Sequence, residues 1–253
     1  MGWKLAANSL ATILRNPGTA VRVTLAPFAL AAVLSVIIWW FLGVGIDTVT
    51  FALAFGLIDG RVASALASAT VIVIFVASWS ALAWHRFLLT GEVPGALPAF
   101  DWNRTGSYAL RSTLITLSLL ILLFPISAVG MQVLTISGLL GIDLVRLGFS
   151  FLMTGLMAFL WFRLALVLPA VAVERSLTVS ESWSVTGARA EVILRAGAII
   201  VALDLVAGAL LDFAPLGQWP VLVLRLLLTW FFALAGTSLV TMLYAELVER
   251  RRL

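Results

Sequence analysis

Long hydrophobic runs without a charged residue dominate the pattern of this chain. Four of them, 23–46, 62–84, 112–142 and 226–245, contain no Asp, Glu, Lys or Arg. Each reaches the roughly 20 residues that an α-helix needs to cross the hydrocarbon core of a bilayer. The pattern therefore predicts membrane-spanning helices in all four.

Two further hydrophobic segments each carry a charge in their interior. Arg163 interrupts the first and Asp204 the second, and both segments remain hydrophobic enough to cross a membrane. We therefore expect an all-α integral membrane fold with six spanning helices. Their predicted limits are 23–45, 62–84, 112–134, 147–169, 193–211 and 221–243.

Three shorter segments, 3–15, 100–110 and 178–186, predict helices that lie in the membrane interface on the cytoplasmic side. Residues 3–15 place hydrophobic side chains at helical spacing, and Thr178 with Glu181 forms a capping-box pattern. Each interfacial helix would lead into a hairpin of two spanning helices, so that 1–253 forms a single membrane domain of three such units. The stretch 48–58 is too short to span, and we interpret it as interfacial or re-entrant.

Composition supports the membrane assignment and limits the partners and the reactions that the chain can have. Hydrophobic residues make up 62% of the chain and charged residues 11%, whereas soluble domains have about 45–50% and about 25%. The sixteen Lys and Arg are scattered between the hydrophobic segments, so we expect no nucleic-acid partner. The absence of cysteine excludes disulfides and thiolate chemistry, and we expect no cofactor.

The basic residues also predict the orientation of the chain, because short cytoplasmic loops hold an excess of Lys and Arg. With both ends of the sequence in the cytoplasm, twelve basic residues are cytoplasmic and Arg163 lies within a span. Only Arg61, Arg146 and Arg225 fall on the opposite side. We therefore expect a multi-pass protein with both termini cytoplasmic.

Asp204 is the most unusual residue, because a carboxylate within a spanning helix is costly and needs a partner. Arg225, near the start of the sixth span, is the best candidate for that partner. Two interpretations stay open. The two residues form an ion pair that fixes the last hairpin, or Asp204 is a carboxylate that couples transport to protons or ions.

Three basic side chains suggest a site for a lipid headgroup. Arg163 near the end of the fourth span, together with His85 and Arg86 at the matching end of the second, could form a cytoplasmic pocket for an anionic headgroup. Alternatively, Arg163 extends to the headgroup region on its own and His85 is an interface residue. Because His85 is the only histidine, we expect neither a histidine-based metal site nor a catalytic triad.

Two segments carry a resemblance to a known group of proteins. They are AWHRFLLTGE at 83–92 and FRL at 162–164, the latter followed by LPAVAVE at 168–174 and then Ser182-Trp183. They resemble the six-helix membrane domain fused to some glycerophosphodiester phosphodiesterases and the stand-alone YciC-like bacterial inner-membrane proteins. The fused hydrolase is a separate soluble barrel with no counterpart in this sequence, so its activity does not carry over. The resemblance implies a bacterial inner-membrane location and a role connected with lipids or envelope upkeep.

These features lead to two functional hypotheses. The first is a non-enzymatic inner-membrane protein that organises membrane lipids, in particular anionic ones, or partner proteins, as an accessory subunit of a larger membrane complex in one version. The second is a small transporter or channel that uses Asp204, which polar groups within spanning helices would favour. We name no catalytic residue and no metal ligand.

Overall fold

The computed structural model describes residues 2–95, 97–215 and 217–251, which form ten α-helices and no strand. A 3-10 turn at Leu139–Gly141 joins the fifth helix to the sixth. The helices are α1 Gly2–Arg15, α2 Pro17–Phe41, α3 Ile46–Phe55, α4 Gly60–Thr90, α5 Trp102–Ile136, α6 Asp143–Leu164, α7 Val167–Ala172, α8 Val179–Gly187, α9 Ala190–Asp212 and α10 Gln218–Leu247.

Six helical segments of the described chain are long and apolar enough to cross a membrane. They are α2, α4, α5, α6 together with α7, α9, and α10 from Pro220 onward. The predicted fold class is confirmed: the protein is an all-α, multi-pass membrane protein. Most spans are longer than predicted, and α4 extends six residues beyond its predicted end at Trp84.

The spanning helices pack as three consecutive hairpins, α2 with α4, α5 with α6, and α9 with α10. The first surface helix does not pack mainly on the hairpin that follows it. Instead, α1 lies against α9 and α10. A Cβ atom on Gly2 would lie 2.6 Å from Cβ of Arg195 and 2.9 Å from the carbonyl oxygen of Val192, so only glycine allows this close approach.

The predicted interfacial helix at 100–110 is not a separate element. The helix that begins at Trp102 continues without interruption to Ile136 as α5. The Asp101 side chain caps its start by accepting a hydrogen bond from the Arg104 backbone N–H at 3.0 Å. No proline follows before Pro125, so nothing breaks the helix where the hydrophobic run starts.

The fourth span reaches further than its predicted end and contains a break. The helix α6 ends at Leu164, and the chain resumes as the short helix α7. Pro169 explains the position of the break, because its ring clashes with the carbonyl group four residues earlier, that of Ala165. The Ala165 carbonyl instead accepts a hydrogen bond from the N–H of Leu168, three residues later, at 2.9 Å, as in a 3-10 turn.

The other two short segments form helices. The segment predicted as interfacial or re-entrant contains α3, whose Val49 and Ala52 belong to a small cluster with Val62 and Ala65 of α4. The capping box of α8 is confirmed. Because the carboxylate of Glu181 accepts bonds from the Thr178 backbone N–H and hydroxyl, the pKa of Glu181 lies below its ordinary value.

The two ends of the bundle are packed very differently. The end that we name the packed end comprises 2–25, 78–119, 157–202 and 230–251, and it contains the main core, including all of α7. The open end comprises 36–70, 120–150 and 203–227. Only Leu123 is buried in 120–150, and no described side chain is buried in 203–227. The core therefore lies at the end that holds α1, α7, α8 and the last described residues.

Candidate functional site

A buried histidine joins three spanning helices at the packed end. His85 of α4 lies 2.7 Å by Nδ1 from the Thr241 hydroxyl of α10, and 3.0 Å by Nε2 from the Tyr108 hydroxyl of α5. Thr241 donates its only hydroxyl proton to the Thr237 carbonyl at 2.7 Å. Thr241 must therefore accept from Nδ1–H, which leaves Nε2 to accept from Tyr108. This network satisfies both ring nitrogens of a neutral imidazole.

His85 is therefore excluded from the predicted headgroup pocket. Its side chain is 1% exposed, and protein hydroxyls occupy both of its nitrogens. The physical reason is the length of α4. The span was predicted to end at Trp84, which would place the next residue at headgroup level, but the helix continues to Thr90 and carries His85 into the core.

The residue before His85 makes a similar connection. The indole N–H of Trp84 donates to the Ser238 hydroxyl of α10 at 2.9 Å, and Ser238 donates to the Leu234 carbonyl. Trp84 is fully buried. Because Ser238 and Thr241 are three residues apart and share one helical face, Trp84 and His85 together fix the position of α10 against α4.

Arg86 is held by protein groups. Its Nε lies 2.8 Å from the Glu92 carboxylate, and its Nη1 donates to the Ala172 carbonyl at 3.2 Å. Arg86 is one of three arginines of α4 and α5 that bind the segment from the end of α7 to the start of α8. The bonds run from Arg86 to Ala172, from Arg104 to the Glu174 carboxylate, and from Arg111 to the Leu177 carbonyl.

Arg163 fixes α8 against the end of α6. Its guanidinium lies over the Trp183 ring, 3.4 Å from the ring centroid, and donates to the Trp183 carbonyl at 2.7 Å. A second bond, at 3.2 Å, reaches the Thr186 hydroxyl. Arg86 thus contacts α7 while Arg163 contacts α8. The structure does not bring these two arginines and His85 together as one pocket.

The predicted ion pair between Asp204 and Arg225 is wrong. Arg225 pairs with Asp212, the last residue of α9. Asp204 lies eight residues earlier in the same helix, which corresponds to about 12 Å along the helix axis. Since Arg225 is in the second turn of α10, the nearby end of α9 supplies its partner.

Asp204 lies on the same face of α9 as Ile193, Ala196 and Ile200, the buried face of that helix. Within the described residues, its half-buried carboxylate makes no hydrogen bond and no ion pair. An unpaired carboxylate in a spanning helix is unusual, because burying it in the membrane is costly.

An open groove lies between α1 and the ends of α4 and α10. Its volume is about 350 Å³. Polar side chains of α1 and of the turn that follows form one wall. They are Asn8, Thr12, Arg15 and Asn16.

Among the described residues that line this groove, Arg15 is the only charged one. Its side chain is exposed and pairs with no carboxylate in the part of the chain that the structure describes. The opposite wall is apolar and consists of Phe87, Leu88 and Met242. The groove therefore combines an available cation with a hydrophobic surface.

Sequence reasoning missed this groove, although part of its signal was present. Lys4, Asn8, Thr12 and Arg15 follow one another at helical spacing and mark the polar stripe of α1. What the sequence did not show is that the last hairpin packs against α1. That packing places the stripe beside the ends of α4 and α10.

Among the described residues, no group of three or more His, Cys, Asp or Glu side chains is placed to hold a metal ion. Comparison with known proteins adds no relative. No family model, no curated protein and no solved structure matches this chain.

Proposed function

We propose that this chain is a non-enzymatic bacterial inner-membrane protein that binds anionic lipids at its cytoplasmic face, and that the packed end is that face. One observation supports the proposal above the others. The positive charge of the protein is concentrated at the packed end, and part of it has no carboxylate partner there.

The charge difference between the two ends is large. The open end has three basic residues, Arg61, Arg146 and Arg225, and five acidic ones. The packed end has an excess of five positive charges among its described residues. Its twelve basic residues are Lys4, Arg15, Arg22, Arg86, Arg104, Arg111, Arg163, Arg175, Arg189, Arg195, Arg250 and Arg251, and its seven acidic residues are Glu92, Asp101, Glu174, Glu181, Glu191, Glu246 and Glu249.

Three basic residues that are available to a ligand lie in the first two helices. Lys4, Arg15 and Arg22 are exposed, and none of them pairs with a carboxylate within the described chain. A basic side chain near an anionic membrane surface contributes about 1 kcal/mol of attraction. These three residues, which we name the basic strip, therefore favour anionic over zwitterionic lipid.

The test compares two triple variants that each remove three positive charges. The purified full chain is mixed with phosphatidylglycerol and phosphatidylcholine of the same acyl chains, and retained lipid is counted by native mass spectrometry. The wild type should retain phosphatidylglycerol preferentially. Substitution of the basic strip, K4Q/R15Q/R22Q, should remove most of this preference, whereas the open-end control R61Q/R146Q/R225Q should keep it. Equal retention of the two lipids by the wild type would contradict the proposal, and so would equal losses in both variants.

The proposed orientation has a separate test. Because the chain has no cysteine, single-cysteine variants report accessibility without background. With the packed end in the cytoplasm, Arg146→Cys should react with a membrane-impermeant maleimide added to spheroplasts, while Lys4→Cys should react only after permeabilisation. The reverse pattern would invert the assignment.

Asp204 supports a second candidate function, in which the protein is a small transporter or channel. The supporting observation is the lack of a polar partner for this carboxylate among the described residues. Proton- or ion-dependent flux into proteoliposomes should then fall strongly in Asp204→Asn and persist in Asp212→Asn, the control carboxylate at the end of the same helix. Unchanged flux in Asp204→Asn would remove this candidate.

A further inference from the structure

We infer that the groove between α1, α4 and α10 is a binding site for a single phospholipid with an anionic headgroup. In this site Arg15 binds the phosphate, and an acyl chain lies along Phe87, Leu88 and Met242. The inference rests on the proposed function, and it assigns the bound lipid to one defined place.

The polar wall has the chemistry that a phosphate requires. The guanidinium of Arg15 can donate two parallel hydrogen bonds to phosphate oxygens, and no carboxylate lines the groove to compete for it. The exposed side chain of Asn8 supplies a second donor on the same wall. Arg86 and Arg163, in contrast, already donate to protein oxygens.

The start of α2 adds to the preference for an anion. The helix begins at Pro17, directly after Arg15 and Asn16, and Asn16 makes no side-chain cap. Pro17 has no N–H, and the N–H groups of Asn16 and Ala20 donate to the carbonyls of Ile13 and Asn16. The N–H groups of Gly18 and Thr19 are left without an acceptor within the helix, and an anion can accept from them. Asn16 itself lines the groove, so these two donors follow directly after the proposed phosphate position in the chain.

The apolar wall decides between a lipid and a free anion. Phe87 and Leu88 of α4 and Met242 of α10 form a half-buried hydrophobic surface, which a soluble phosphate would leave unused. The helices that carry these residues span the membrane, so an acyl chain can reach the wall from the bilayer. A ligand with a phosphate at one end and a hydrocarbon chain at the other matches both walls.

The test uses single variants of the full chain, with retained lipid again counted by native mass spectrometry. Arg15→Gln should weaken phosphatidylglycerol binding about tenfold, the loss expected for one charge-assisted contact. Arg61→Gln is the control, since Arg61 is exposed and lies at the open end, outside both the groove and the basic strip. It should change binding less than about twofold. If Arg15→Gln changes binding as little as Arg61→Gln while the wild type still prefers phosphatidylglycerol, the groove assignment fails and the proposed function survives. If the wild type shows no preference, both fail.

A second variant tests the apolar wall without changing charge. Met242→Trp fills the groove and should lower phosphatidylglycerol binding, whereas Leu226→Trp, at an exposed open-end position, should not. Both variants should unfold near the wild-type temperature. If Met242→Trp is destabilised, Leu88→Cys labelled with a photoreactive maleimide replaces it, and that variant should cross-link to phosphatidylglycerol. The inference is overturned if the label captures no lipid, or if millimolar inorganic phosphate displaces phosphatidylglycerol completely.

Discussion

The helices of this bundle are held together differently at the packed end and at the open end. Trp84 at the packed end is 0% exposed and hydrogen-bonded to another helix, whereas Trp40 at the open end is 74% exposed. Lipid tails are as apolar as leucine, so hydrophobicity alone does not hold spanning helices together. Close packing and polar bonds between helices are concentrated at the packed end, and the open end is left to contact lipid or a partner.

This difference is also visible in how the two ends use arginine. At the packed end, Arg86 and Arg163 donate to carbonyl groups of neighbouring elements and so connect helices. At the open end, Arg146 pairs with Asp143 of its own helix, and Arg61 lies 3.8 Å from the neighbouring Asp59. Among the described arginines of the open end, Arg225 alone joins two spanning helices, through its pair with Asp212. The indole N–H of Trp39 in α2 also donates there to the Ala65 carbonyl of α4, at 2.9 Å. Among the described residues, most of the polar contacts that connect helices therefore lie at the packed end.

The largest difference should appear when the two tryptophans are truncated. Trp84→Ala removes a fully buried side chain and leaves the Ser238 hydroxyl without its donor, which should cost about 3–5 kcal/mol. Trp40→Ala should change the free energy of unfolding by about 0.5 kcal/mol or less. Unfolding of the purified protein in mixed micelles, titrated with a denaturing detergent, measures both. Similar losses in the two variants would show that the ends are equally stabilised.

A smaller effect is expected for the contact between Arg163 and α8. Arg163→Gln removes the guanidinium over the Trp183 ring and its bond to the Trp183 carbonyl. Cation–π contacts contribute about 0.5–2 kcal/mol, so local opening of α8 should become about 2- to 30-fold more frequent. Amide hydrogen exchange within 179–187 measures this change. Arg146→Gln is the open-end control, and it should leave exchange in α8 unaltered. Exchange in α8 that is insensitive to Arg163→Gln would remove the proposed anchoring role.

The sequence was informative where length and charge decide the outcome. Uncharged runs of 20 residues or more, together with the positions of Arg163 and Asp204, sufficed to predict six spans and their pairing into hairpins. Helix ends were harder, because a charged residue was taken as the limit of a span. The continuation of α4 past Trp84 could not be read from composition, and it is this continuation that buries His85.

The ion-pair partners of charged side chains could not be predicted, for a different reason. Several residues of suitable charge lie near each end, and only the helix register selects among them. Arg225 had two carboxylates available on α9, and Asp212 is the one at its depth. The break before α7 was not predicted either, because proline alone does not decide it: Pro27 and Pro125 lie within the continuous helices α2 and α5.

The smallest expected effect concerns the ion pair between Arg225 and Asp212, which joins α9 and α10 at the open end. Arg225 and Asp212 are both about half exposed, and exposed pairs contribute about 0.2–1 kcal/mol. A double-mutant cycle with Arg225→Gln and Asp212→Asn should therefore give a coupling energy in that range, measured by the same unfolding titration. The matched cycle with Asp204→Asn should give no coupling, since Asp204 lies two turns deeper in α9. Coupling of Arg225 to Asp204 rather than to Asp212 would instead support the pairing expected from the sequence. The bond between α9 and α10 would then lie two turns further from the end of α9.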